Sequence, residues 1–213
     1  ARVRVRAEEP PEVAEVKGRA VMTDVLRRLA DARIKVPGDE ATVGLGVRRI
    51  RYSPDTIEVA IKTARDNNLP LNDAKGVFTE VLLREARQQL IDRDVAQEDL
   101  ALLLPELRRS TEFGKLVDKV WPSRSGAQLV RSLLGSPTNR KRAADGLLSA
   151  DDAELLQRSS AKKVGDEPWT EADLPLLDEA NALTTGVGRQ YGHVVIDEAQ
   201  DLAPMELRMI GRR

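Results

Sequence analysis

A short apolar run near the carboxyl end of the sequence is followed at once by clustered acids. The β-branched residues Val194–Ile196 precede Asp-Glu-Ala-Gln-Asp at positions 197–201. This pattern is typical of a Walker B segment, in which a buried parallel strand delivers carboxylates to its C-terminal end. In a nucleotide-hydrolysing domain the first acid, here Asp197, helps to hold Mg²⁺, and the second, Glu198, prepares the attacking water. We therefore predict a buried strand at 194–196 and a site that uses ATP and Mg²⁺.

The other half of such a site is missing from the sequence. No G-x-x-x-x-G-K-[ST] phosphate loop occurs in the 213 residues, so the chain has no such loop to cradle the β- and γ-phosphates. The first residue is not Met and no secretory apolar segment follows it. We interpret the chain as part of a larger ATPase, and we expect it to bind no ATP or Mg²⁺ and to hydrolyse no ATP by itself.

The composition limits the other possible functions. Aromatic residues make up only 3% of the chain, which favours aliphatic helices and disfavours a platform that stacks bases. The net charge of −1 marks no nucleic-acid or membrane binder. Cysteine is absent and histidine occurs once, which excludes disulfides and makes a zinc site improbable. The sequence has no apolar run of about 18 residues, and we predict a cytoplasmic protein.

Hydrophobic spacing predicts a mainly α fold with a few short strands. Trp121 and Trp169 stand at helix boundaries, where we expect them to pack in the core. Ser53-Pro54 and Ser149 with Asp152 indicate helix starts. The predicted strands are 2–6, 42–52 (a strand or hairpin) and 194–196, and the predicted helices are 12–33, 54–66, 74–92, 98–109, 111–120, 125–134, 149–159 and 170–182.

Charge is distributed unevenly although the total is nearly neutral. Residues 108–144 contain nine Lys or Arg and two acids, a net charge of +7, whereas residues 145–182 contain ten acids and three bases, a net charge of −7. One interpretation is that the unevenness of a polar helical surface arises by chance, or that the two segments pair with each other. The other is that they dock onto a partner that handles nucleic acid, with the acidic segment excluding the polyanion.

The acidic sequence resembles motif II of superfamily 1 helicases of the UvrD/Rep kind, for which Asp-Glu-x-Gln-Asp is specific. The resemblance implies that Asp197 coordinates Mg²⁺ and that Glu198 polarises the hydrolytic water. It also implies that Gln200 and Asp201 link the nucleotide state to neighbouring motifs. One position departs from the family: Ala203 stands where a Ser or Thr would cap the next helix. The alternative is a strand before an acid-rich helix start.

Three further segments show weaker similarities, and these indicate one group within the superfamily. The segments 12–37, 118–135 and 169–179 resemble, in the same order, parts of HelD-like proteins, which are bacterial helicase-like ATPases that bind RNA polymerase. The family has a largely helical arm inserted in its first RecA-like domain. By this resemblance, residues 1–40 and 146–213 are parts of the RecA-like domain 1A, and residues 41–145 are most of the arm.

The resemblance implies an interaction function. The arm of a HelD-like protein enters the main channel of core RNA polymerase, opens the clamp and helps to release nucleic acid from stalled polymerase, so nucleic acid is an indirect or competing partner. The alternative is a part of a UvrD/Rep-like helicase that translocates on DNA and contacts it through the insertion. That alternative predicts basic and aromatic residues along a strand-binding groove.

Overall fold

A computed structural model describes residues 4–213 of the chain. The fold is mainly helical, with 59% helix and 6% strand, which confirms the predicted class. Contacts divide the chain into two compact units: Arg33–Ser123, here called the inner unit, and the segments before Arg33 and after Ser123, here called the flanking unit. The predicted insertion was 41–145, but residues 124–145 pack in the flanking unit. The functional bounds of the arm stay a prediction.

Helices make up the flanking unit. Two of these helices, Gly126–Gly135 and Asp173–Thr185, pack together, and both contribute buried residues, among them Leu133 and Leu176. The helices are α1 Pro11–Gly18, α2 Met22–Asp31, α7 Gly126–Gly135, α8 Pro137–Ala144, α9 Ala150–Leu155, α10 Asp173–Thr185 and α11 Pro204–Ile210.

The structure corrects three sequence predictions in the flanking unit. The single helix over 12–33 is wrong: α1 ends at Gly18, a poor helix former, and Arg19 adopts an extended conformation with ψ 140°. Helix α8 was not predicted separately. The helix predicted over 149–159 ends at Leu155, although Ser149 caps it as expected by accepting a hydrogen bond from the Asp152 N–H at 3.0 Å.

The strand predicted at residues 2–6 lies partly outside the described residues. Within them, Val5 forms one isolated parallel bridge with Trp169, and the Arg6 N–H donates to the Trp169 carbonyl at 2.9 Å. Extended backbone is therefore present, but it forms no strand longer than this bridge in the part of the chain that the structure describes.

A β-hairpin and four helices form the inner unit. Ser53 caps its first helix as predicted, since its Oγ accepts from the Thr56 N–H at 3.1 Å and Pro54 takes the first helical position. Ser110 caps another helix through the Phe113 N–H at 3.2 Å. The elements are β1 Ala41–Leu45, β2 Arg48–Tyr52, α3 Pro54–Arg65, α4 Leu71–Ile91, α5 Gln97–Arg109 and α6 Thr111–Val120.

The hairpin is antiparallel, with Leu45 opposite Arg48, which leaves a two-residue turn. Gly46 begins that turn at φ +56°, a conformation that glycine adopts without a side-chain penalty. Side chains from the helices bind the outer backbone groups of both strands. The Gln89 amide exchanges hydrogen bonds with the N–H and C=O of Arg51, and Glu112 accepts from the Gly44 N–H at 2.7 Å. Such covering limits edge-to-edge pairing with other chains.

One aliphatic core with a few rings fills the inner unit. Trp121 is 1% exposed, its ring lies 5.7 Å from that of Phe78, and its Nε1 donates to the Leu71 carbonyl at 3.0 Å. Trp169, in the flanking unit, is 4% exposed. Both tryptophans therefore pack in cores, as predicted. Because the inner unit contains its own hydrophobic cluster, from Val43 to Trp121, it has the means to keep a fixed shape.

Candidate functional site

The four predicted site residues lie in one exposed segment between α10 and α11. Asp197, Glu198, Gln200 and Asp201 are all exposed, and the last two belong to a single 3₁₀ turn, Ala199–Asp201. The Asp197 Oδ1 accepts from the Glu198 N–H at 3.0 Å, and the Gln200 side-chain amide donates to the Glu198 carboxylate. The structure thus brings Glu198 and Gln200 together, and it leaves the Asp201 carboxylate exposed.

The buried strand predicted at Val194–Ile196 is not present. The three residues form no strand, and Val195 is 82% exposed. A strand needs neighbours that bind its backbone N–H and C=O groups. Among residues 4–213 the two paired strands, β1 and β2, belong to the inner unit, and no strand is described beside 194–196. The apolar run therefore remains extended and solvated.

Glu198 turns the chain at the end of this run. Its φ is +53°, in the left-handed region, which costs a residue with a Cβ roughly 1–2 kcal/mol. The sequence contains no glycine here that would have indicated such a turn. Residues with a side chain in this conformation often occur at functional sites. Asn68 and Asp94 of the inner unit also adopt it.

Ion pairs join α10, which precedes the candidate residues, to α11 and the residues that follow it. Arg208 Nε lies 2.6 Å from the Glu179 carboxylate, and Arg212 Nη1 lies 2.8 Å from that of Asp178. Arg212 also pairs with Glu179, and Arg213 pairs with Asp178. Glu179 is buried, and the arginines offset the cost of burying its carboxylate. The helices on either side of the segment are therefore tied together, and residues 187–201 between them are exposed.

Ala203 has a structural explanation. A Cβ added to Gly18 would lie 2.7 Å from the Ala203 Cβ, so α1 and the start of α11 are in close contact. A larger residue at 203 would have little room there. Alanine has no side-chain oxygen that could accept a hydrogen bond from the first turn of α11. Instead the Glu206 carboxylate, in that turn, accepts from the Ala203 N–H at 2.8 Å. Met205 is buried, and its sulfur accepts a hydrogen bond from the Thr23 hydroxyl at 3.5 Å.

A buried ion cluster, which sequence reasoning missed, lies where α10 begins. Asp173 is 0% exposed and lies 2.8 Å from Lys17 Nζ and 2.6 Å from Arg158 Nη1. Lys17 also pairs with Glu9, and Arg158 lies over the Trp169 ring at 5.4 Å from its centroid. The helix predicted at 170–182 begins at Asp173, and the Asp173 carboxylate accepts from the Thr170 N–H at 3.0 Å.

The cluster fixes the protonation of Asp173. Burial raises the pKa of the carboxyl. The nearby Lys17 ammonium and the hydrogen bonds from Lys17, Thr170 and Arg158 lower it by more than burial raises it, so the pKa lies below the ordinary 3.8. Asp173 thus stays ionised at neutral pH.

Several acids of the 145–182 segment pair with bases inside the flanking unit. Buried Glu167 lies 3.1 Å from Arg131 Nε, which belongs to the basic segment 108–144. Asp152 pairs with Arg19 at 2.8 Å, and Asp178 and Glu179 pair with α11 as described above. Of these ion pairs, Arg131–Glu167 joins the basic segment to the acidic one, and the other acids pair with bases elsewhere in the chain.

The donor set fits only part of a nucleotide site. Mg²⁺ in such sites takes one or two carboxylates and is otherwise bound by phosphates and water, and Asp197 offers one exposed carboxylate. Among residues 4–213, no three His, Cys, Asp or Glu side chains are grouped so that they could hold a metal ion. The phosphate-binding loop is absent from the sequence as well. The chain alone therefore offers one carboxylate ligand for Mg²⁺ and no loop for the nucleotide phosphates.

Comparison with known proteins gives no assignment. No family model matches the chain, and no curated protein matches it. None of the helices within residues 4–213 is both long enough and apolar enough to cross a membrane.

We predict that Gly18→Ala loosens the attachment of α11. The added methyl group lies 2.7 Å from the Ala203 Cβ, so one backbone must move, and overpacking of this kind typically costs 1–3 kcal/mol, or about 2 kcal/mol here. Hydrogen–deuterium exchange should become faster in α11 and in residues 197–203. Gly76→Ala is the control, since its Cβ meets nothing within 4 Å and should stabilise α4 by about 0.5–1 kcal/mol. Unchanged exchange in Gly18→Ala would contradict the close contact.

We predict that Asp173→Asn destabilises the chain by about 3 kcal/mol near pH 7, because Lys17 and Arg158 lose a buried carboxylate. The pKa of Asp173 is lowered in the folded state, so its stabilisation is complete above 3.8 and is lost as pH falls through the folded value. The difference from wild type in urea unfolding should therefore shrink as the pH falls below 3.8. Exposed Asp151→Asn should change stability by less than about 0.5 kcal/mol. A difference that does not depend on pH would contradict the ionised cluster.

Proposed function

We propose that this chain is the polymerase-binding part of a HelD-like ATPase, and that it wedges into the main channel of bacterial core RNA polymerase. The proposal depends on one observation above all: the sequence Asp-Glu-Ala-Gln-Asp at 197–201 directly follows an apolar β-branched run. The softer similarities at 12–37, 118–135 and 169–179 select HelD-like proteins within the helicase superfamily. In this proposal the chain contributes an inserted arm and adjoining parts of a RecA-like domain.

The inner unit supports the mechanical part of the proposal. A wedge must resist deformation, and stiffness comes from close packing of amphipathic helices on one another. The inner unit has its own core, with Phe78 and Trp121 fully buried, and its hairpin is tied to α4 and α6 through Gln89 and Glu112. Val47 is 96% exposed at the hairpin turn and Leu102 is 73% exposed on α5, so apolar side chains are accessible on this unit.

The wedge acts by differential binding. A ligand shifts a conformational equilibrium only by as much as its affinities for the two states differ. Moving a clamp from 1% to 99% open requires binding to the open state that is about 10⁴-fold tighter, or about 5.5 kcal/mol. Opening the clamp then weakens the grip on nucleic acid and helps to release it from stalled polymerase.

The nucleotide chemistry belongs to the whole ATPase in this proposal. Asp197 would be the Mg²⁺ ligand and Glu198 the residue that polarises water, while Gln200 and Asp201 would transmit the nucleotide state. The phosphate loop would come from elsewhere in the larger protein. ATP turnover would supply the cycle of binding and release.

A second candidate is a part of a UvrD/Rep-like helicase that translocates on DNA. The same five residues at 197–201 favour it as much as they favour a HelD-like protein. It requires exposed rings for the bases of a strand. Five of the six aromatic rings, all within the described residues, are buried, and Tyr191 is exposed at 55%.

The test is capture of purified core RNA polymerase by the tagged 213-residue chain near physiological salt, with and without competing DNA. The proposal predicts capture that is specific to core polymerase and is reduced by DNA in the main channel. The tagged Val47→Asp/Leu102→Asp variant replaces two exposed apolar side chains of the inner unit, and Val195→Asp is the matched change in the flanking unit. Weaker capture by the first variant alone would locate the contact in the inner unit. Absence of capture by a folded chain would contradict the proposal for this chain.

A further inference from the structure

Residues 189–197, here called the exposed run, form a continuous accessible stretch between α10 and α11. They belong to no helix or strand, and every one of them is exposed. Several of their side chains are apolar: Tyr191 is 55% exposed, Val194 is 44% exposed and Val195 is 82% exposed. A group of neighbouring exposed apolar side chains, unlike a single one, indicates a surface that binds another molecule.

The backbone of the exposed run also lacks partners. Among residues 4–213, no backbone N–H or C=O group of residues 192–196 takes part in a hydrogen bond. The Tyr191 N–H is different, because it donates to the Arg213 carbonyl. A row of free backbone groups is a template on which another extended chain can pair. The exposed run therefore offers both the backbone and the side chains that a β-strand would bind.

The sequence of the exposed run is complementary to itself when two copies lie antiparallel. With His193 of one copy opposite His193 of the other, Tyr191 lies opposite Val195 and Arg189 lies opposite Asp197. An aromatic residue opposite a β-branched residue is a favourable cross-strand pair, and so are opposite charges. Each of these pairs occurs twice, because the arrangement has a two-fold axis.

The charges of the exposed run are free to form those pairs. Arg189 has no carboxylate partner among residues 4–213, and its guanidinium lies over the Tyr191 ring at 5.1 Å from the centroid. Asp197 has no basic partner in the same residues, and its Oδ1 accepts from the Glu198 N–H. A second copy would supply each of these two side chains with the opposite charge.

The hydrogen bond from Tyr191 to Arg213 selects the pattern of the ladder. Hydrogen-bonded and non-hydrogen-bonded pairs alternate in an antiparallel ladder. Because the Tyr191 N–H is already used, Tyr191 and Val195 form a non-hydrogen-bonded pair, in which side chains lie closest. The chain bends at Gly192 and must straighten there, which glycine allows readily. The hydrogen-bonded pairs are then Gly192–Val194 and Gln190–Ile196.

We propose that the exposed run binds the same run of a second copy of this chain, as an antiparallel two-stranded ribbon centred on His193. Each copy supplies the apolar partner and the opposite charge that the other copy lacks. A two-stranded ribbon is only marginally stable, so the dimer is weak and depends on concentration. In the larger ATPase proposed above, a strand of the same protein would compete for this backbone. The dimer itself involves neither polymerase nor nucleotide.

The absence of cysteine from the sequence makes the register directly testable. In the 213-residue chain, His193→Cys should form a disulfide between copies under mild oxidation, since the Cα atoms of a non-hydrogen-bonded pair lie about 4.5 Å apart. Tyr191→Cys and Val195→Cys should each cross-link little alone, because the two equivalent positions lie about 14 Å apart in the ribbon. A mixture of these two variants should cross-link, because position 191 of one copy lies opposite position 195 of the other.

Sedimentation equilibrium measures the association without a cross-link. Over about 5–500 μM the average mass should rise from that of a monomer toward that of a dimer. Val195→Asp should stay monomeric over the same range, because it places a charge in the apolar pair. Val59→Cys is the control for cross-linking, since Val59 is 62% exposed on α3 of the inner unit and has no part in the ribbon.

The outcomes separate the ribbon from random collision and from other registers. A wild-type chain that stays monomeric, or His193→Cys that cross-links no faster than Val59→Cys, would overturn the proposal. Tyr191→Cys that cross-links alone as readily as in the mixture would overturn the antiparallel register. Circular dichroism of each variant checks that the exposed substitutions leave the fold intact. Because polymerase and nucleotide are absent, failure here leaves the proposed function untouched.

Discussion

The flanking unit depends on keeping one buried carboxylate charged. Asp173 has no exposed surface, and a buried charge without partners would be prohibitively costly. Lys17 and Arg158 supply the opposing charges, and they come from α1 and from the segment before Trp169. One carboxylate thereby joins α1, which is distant in sequence, to Arg158, which lies 15 residues before Asp173. Such a cluster adds little net stability compared with an apolar core. Removing one member destabilises the fold strongly, because its partner charges stay buried and unpaired. The cluster therefore specifies which segments pack together.

Paired acids also position the helices on either side of the segment at 197–201. Helix α10 begins at Asp173, and its later turns carry Asp178 and Glu179, which bind the arginines of α11. The candidate site residues therefore project from a segment whose two anchors are electrostatic and whose middle makes few contacts. The exposed Val195 at this segment is an apolar surface that a neighbouring strand would bury.

Local signals in the sequence predicted much of the fold. Ser53 and Ser149 predicted helix starts because a hydroxyl before a helix has a local partner three residues on. The break at Gly18 and the failed strand at Val194–Ile196 were not predictable in the same way. Gly18 is a poor helix former, but a single glycine does not by itself end a helix, and the strand depends on neighbouring strands. The site residues were identified by motif, whereas their exposure and the φ of Glu198 could not be read from sequence.

The central claim is that the chain opens the polymerase clamp by binding the open state more tightly than the closed state. The direct measurement is energy transfer between two dyes on core RNA polymerase, one on the clamp and one across the main channel, as the chain is added. The account predicts that transfer falls, in a saturable way, as the dyes move apart, and that DNA in the channel shifts the response to higher chain concentrations. Saturable binding with unchanged or increased transfer would contradict the wedge.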